Sequence, residues 1–145
     1  HNENEPAISP DGRWLAYTSD ETGRAEVFVV PFPNVDDGKW QVSTAGGREP
    51  RWSADGRRLY VRHGDGSGLD VVDMGDGPAA AERSTVFDVP PEEYFELNPD
   101  NHMYDVTPDG RILMLEAGSG DISGDLVMVQ SWLADVERRL DGGDR

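Results

Sequence analysis

At 145 residues the chain is long enough for one ordinary domain, and its formal net charge of −16 keeps it soluble while repelling phosphate backbones, which disfavours nucleic acid as a partner. It has no cysteine, so disulfides, thiolate catalysis and Cys-ligated metals are excluded and the redox compartment stays open. No signal peptide and no apolar run of membrane-spanning length is visible, so this segment is not expected to insert into a bilayer.

In chain order, an extended segment leads into Ile8-Ser9-Pro10-Asp11-Gly12-Arg13 and then an apolar run over 14–17. Pro pre-sets the first turn position, Asp suits the second and bonds its own backbone, and Gly supplies the positive φ of a type I turn with a bulge. A third strand is expected over 26–30 and a fourth, more polar one over 40–44. The phrase returns as Trp52-Ser53-Ala54-Asp55-Gly56-Arg57, with further strands expected over 69–72 and 85–89. It returns again as Val106-Thr107-Pro108-Asp109-Gly110-Arg111, followed by a strand over 126–129. Aligned on the turn Asp, the copies put Ile8, Trp52 and Val106 before the turn and Leu15, Leu59 and Leu113 after it. The post-turn strand is nearly all apolar in the first and third copies, which points to cover on both faces.

Four antiparallel strands per unit, covered on both faces, describe a propeller blade, and the first repeat spacing matches one. The fold class expected is therefore all-β: a partial β-propeller of about three four-stranded antiparallel blades, half of a six-bladed ring, with a short C-terminal helix. The predicted boundaries are a half-propeller over 1–140 and a tail at 141–145. Within the half-propeller, blade one is 5–45, blade two 48–90, an inter-blade loop 90–102, blade three 103–130 and a terminal helix 131–140. Blade three is expected to lack its outer strand.

Three blades do not close a ring, and open blade faces are an aggregation hazard. Either the chain is the C-terminal part of a longer propeller, or two copies close a six-bladed ring about a twofold axis. Both can hold together.

The stretch Asn4-Glu5-Pro6-Ala7-Ile8-Ser9-Pro10-Asp11-Gly12 resembles the repeat of TolB-type six-bladed propellers. The segments at 26–33, 40–50 and 104–111, with Val127-Met128-Val129-Gln130-Ser131-Trp132, are more similar still to the C-terminal propeller region of bacterial membrane-spanning serine/threonine kinases and related TolB-like proteins. The resemblance implies a non-enzymatic sensory or protein-binding propeller outside the cytoplasmic membrane, with a protein or peptide partner. The kinase motifs are absent from this segment, so any kinase belonging to the parent lies upstream.

Chemistry is sparse. Gly64-Asp65-Gly66-Ser67-Gly68 does not match a nucleophile elbow and reads as a hairpin loop. His63 and His102 stand far apart and lack metal-ligand spacing, so no metal and no cofactor is expected. The acids at 36–37 and at Asp121 and Asp125 do not match a calcium loop. Two binding regions remain. The first strand of each blade lines the channel, which places Glu5, Arg48, Glu49, Arg51 and Asp105 at its mouth as a mixed ring for a peptide or small polar ligand. The same Glu49, Arg51 and Asp105 could instead form inter-blade ion pairs. The second region is the loop 90–102, where Tyr94, Phe95 and His102 form a candidate partner-binding surface, or its rings tuck back over an open blade. The alternative function is the non-catalytic propeller portion of a prolyl-oligopeptidase-like hydrolase.

Overall fold

A computed structural model describes residues 1–88, 104–115 and 126–129. Its regular structure is β, apart from single 3-10 turns at Val35–Asp37 and Pro78–Ala80. The first sheet holds β1 (Glu3–Ile8), β2 (Trp14–Ser19), β3 (Glu26–Pro31) and β4 (Trp40–Gln41) in that order. The second holds β5 (Gly47–Trp52), β6 (Arg58–His63), β7 (Gly68–Asp73) and β8 (Glu82–Asp88). The third runs β11 (Leu126–Val129), β10 (Ile112–Leu115), β9 (Tyr104–Val106). All pairings are antiparallel, as short turns require. The predicted terminal helix at 131–140 and the loop carrying Tyr94, Phe95 and His102 lie outside the described residues.

The turns form as their residues dictate. Gly12, Gly56 and Gly110 take φ of 73°, 71° and 81°, and each N–H closes onto the carbonyl of Ser9, Ser53 or Thr107. Asp11 and Asp55 then accept from the hydroxyls of Ser9 and Ser53, each at 2.6 Å, and from the N–H of Arg13 and Arg57.

Two apolar cores stack the sheets. Ala16, Val27 and Val29 of the first pack against Leu59, Val61, Val72 and Met74 of the second. Tyr60 and Leu69, on the second sheet's other face, pack with Val86 against Tyr104, Ile112 and Met114. β5 lies beside β1 and β9, so the first strand of each unit is innermost.

Three expectations are corrected. First, Leu113 is not the counterpart of Leu15 and Leu59. Ile8 pairs with Leu15 and Trp52 with Leu59, but Val106 pairs with Ile112, because Thr107 N–H closes onto Arg111 O, one residue earlier than in the other hairpins. A one-residue slip exchanges the faces of a strand, so Ile112 and Met114, not Leu113, enter the core. Second, β4 stops at Gln41 rather than running to 44. Beyond it Val42 N–H still reaches Val27 O at 2.9 Å, but Val27 N–H turns to the Ser43 hydroxyl at 2.8 Å instead of a backbone carbonyl. Third, cover on the outward face of the apolar strand of blade one is partial: Leu15 and Tyr17 are half-buried there.

Candidate binding site on the inner strands

The inner strands of blades one and two share an irregularity that starts from Glu-Pro. Pairing jumps between Asn4 and Ala7 in β1, and between Arg48 and Arg51 in β5, so two residues oppose one. Proline fits there because a bulge leaves its missing N–H without a ladder partner. The residue before it, Glu5 or Glu49, sits at φ 56° or 52°, a conformation non-glycine residues hold only where surroundings over-determine it.

Those surroundings are polar and cross the blades. Glu5 Oε2 accepts from the Thr18 hydroxyl at 2.6 Å and from the backbone N–H of Glu49, one blade on, at 2.9 Å. Glu49 pairs with Arg62 of its own blade, both side chains almost wholly buried. The Tyr104 hydroxyl of blade three donates to Glu49 O at 2.6 Å. Burial first of all raises the Tyr104 pKa well above 10, so the phenol stays neutral and donating. The indole N–H of Trp52 donates to Ala7 O at 3.0 Å. The bulges thus aim a carboxylate at the seam between blades one and two and a carbonyl at the seam between two and three.

Of the predicted mouth residues, Glu5 and Glu49 are brought together, while Arg48 and Arg51 lie half-buried on β5 beside them. Among the described residues Arg51 donates to its neighbour's carbonyl, Pro50 O, at 3.3 Å. Asp105 is exposed and accepts from the adjacent Val106 N–H. Among the described residues Glu49 pairs with Arg62, within blade two. Sequence reasoning missed Thr18, Arg62 and Tyr104. The first two were detectable: each stands seven residues after its turn Asp, a polar side chain in an apolar strand.

The Gly64–Gly68 loop is the β6–β7 hairpin. His63 sits between Ser67, at 3.1 Å from Nδ1, and buried Asp70, at 3.0 Å from Nε2, while Arg83 holds the other Asp70 oxygen. This resembles a nucleophile, base and orienting acid. However, the Ser67 hydroxyl donates to Asp65 Oδ1 at 2.6 Å, and the Ser67 and Gly66 N–H groups are already bonded to Asp65 and His63. The serine proton is directed away from His63, and neither amide is free for an oxyanion.

The outward face of blade one is partly open: Phe28 and Val30 are buried on it, Leu15 and Tyr17 half-buried, and its margin exposed. Ile8, Leu15 and Val30 share it by register, and Tyr17 and Phe32 follow by alternation. Ile8 is 52% exposed, Phe32 39% and neighbouring Val35 46%. A cleft of about 390 Å³ lies here, lined by Leu15, Tyr17, Val30 and Val35 with Asp36 and Lys39 at its rim. The equivalent blade-two residues, Leu59, Val61, Val72 and Met74, are those buried against blade one. Among the described residues no group of three or more His, Asp or Glu is placed to hold a metal, and no helix is long and apolar enough to cross a membrane.

Stacked antiparallel sheets, two of four strands and one of three among the described residues, with the first strand innermost define a segment of a β-propeller. Comparison with solved structures agrees. TolB from Acinetobacter baumannii superposes with a TM-score of 0.57 at 17% identity, covering 89% of this chain and 29% of TolB. A protein assigned as a 6-phosphogluconolactonase from Bacteroides uniformis gives 0.50 at 18% identity, covering 86% of this chain and 38% of its own. At these identities the likeness is one of fold. Among curated proteins, dipeptidyl aminopeptidase BI of Pseudoxanthomonas mexicana is 37% identical over 62 residues, 41% of this chain and 8% of the peptidase. The chain thus spans less than a tenth of that relative and well under half of either structural neighbour. No family model matches it.

Proposed function

We propose that the chain is a non-catalytic binding module, a half-propeller that takes a protein or peptide partner outside the cytoplasmic membrane and self-associates to complete a six-bladed ring. The observation that carries this reading is the partly open face of blade one, which repeats the apolar set that blade two buries against its neighbour. A surface built like a blade–blade interface calls for another blade. In this reading the half-ring extends over 1–140, with Tyr94, Phe95 and His102 on a partner-binding loop, and the parent protein is TolB-like or a receptor kinase. Absolute molar mass by light scattering across a tenfold dilution tests it. Twice the chain mass throughout is expected; a stable monomer overturns self-association.

One observation favours a second reading. The 62-residue match to a dipeptidyl aminopeptidase supports a propeller portion that gates substrate to a hydrolase domain elsewhere. The sequence of the parent gene separates the two. A membrane span with a kinase supports the first, and a Gly-x-Ser-x-Gly hydrolase domain the second.

A further inference from the structure

Blade one shows what the Glu-Pro bulge needs: Asn4, Ala7 and Thr18 surround it, and Glu5 is satisfied by a hydroxyl and an amide. Blade two has arginine at all three equivalent positions, Arg48, Arg51 and Arg62, around the same glutamate. Arg48 pairs in register with Arg62, and Arg51 with Tyr60, so all three lie on the face of blade two that meets blade three. Arg62 is 1% exposed, and among the described residues its Nε and Nη1 have no acceptor. Arg48 and Arg51 have no carboxylate partner among the described residues either. In a chain of charge −16, three arginines gather beside the two carboxylates of Glu5 and Glu49. Part of the buried Arg62 guanidinium is left without an acceptor among the described residues. A buried donor without an acceptor costs stability unless something completes it.

We propose that this cluster binds a carboxylate, the C-terminus or acidic side chain of a peptide, held between Arg48 and Arg51 with Arg62 behind them. Guanidinium forks match the planar carboxylate, and the acidic surroundings turn away polyanions, so a single small anion is the fitting ligand. The proposal draws on the binding-module reading only in setting the inner strands beside a channel.

The test is an NMR titration of the whole chain with the peptide Ala-Ala-Ala-Leu as free acid, as C-terminal amide, and with inorganic phosphate at matched ionic strength, following the arginine Nε–H signals. The free acid is expected to give a saturable shift at Arg62 that the amide does not, weakened at least about tenfold in Arg48→Asn and in Arg51→Ala. Both variants leave the Glu49–Arg62 pair intact, so they decide the matter even if Arg62→Thr fails to fold. Equal shifts from acid and amide, tighter binding of phosphate, or unchanged affinity in both variants would overturn it. A monomer that binds the acid keeps this site and removes the dimer; a dimer that does not bind removes this site alone.

Discussion

The turn aspartates carry a pH dependence that needs no knowledge of function. The Ser9 hydroxyl, first of all, with the Arg13 side chain and N–H, lowers the Asp11 pKa from 3.8 to about 2, and Asp55 and Asp109 are lowered chiefly by Ser53 and Thr107. A carboxyl whose folded pKa lies below its unfolded one contributes stability that is complete above the unfolded value. That contribution disappears as pH falls through the folded value. Thermal melts should therefore drop between pH 4 and about 2, and Asp11→Asn should flatten that limb. Burial makes Glu49 a different case. Its replacement by Gln leaves the buried Arg62 uncompensated and is expected to cost about 3–5 kcal/mol in urea unfolding. Removing the Tyr104 hydroxyl should cost about 1–3 kcal/mol through the orphaned Glu49 carbonyl.

At the scale of elements, the third hairpin makes a prediction that opposes the sequence alignment. Aligned on the turn, Leu113 is the core residue; by register, Met114 is, and it is fully buried. Met114→Ala should cost about 2–5 kcal/mol and Leu113→Ala distinctly less, measured by chemical denaturation. The reverse order would restore the uniform repeat. Blade two contains a second local test. A methyl at Gly68 would stand 2.4 Å from the Phe87 carbonyl, so Gly68→Ala should loosen the β7–β8 edge, read as faster amide exchange along β8.

For the whole molecule, the exposed residues of blade one are where the proposed self-association is tested. Ile8→Asp and Phe32→Asp place charge on residues already exposed, so they leave the folded unit intact while disfavouring any blade docked there. Both variants should melt near the parent temperature and scatter as monomers. Unchanged mass would mean that the chain associates through another surface.

The repeat by itself determined the all-β class, the hairpin positions and the order of strands within each unit, because Asp-Gly turn chemistry acts over a handful of residues and returns wherever it is written. It also placed Glu5 and Glu49 at equivalent points of the inner strands, and the resemblance of its motifs to TolB-type propellers held at the level of fold. Only the tertiary structure decided the rest. Which side chain meets which across a seam depends on register, and a single shifted hydrogen bond in blade three exchanged the faces of an otherwise matching strand. The pairing of Glu49 with Arg62, the reach of Tyr104 to the Glu49 carbonyl and the concentration of three arginines on one face are contacts between distant segments. They arise from burial and stacking, which no local spacing specifies.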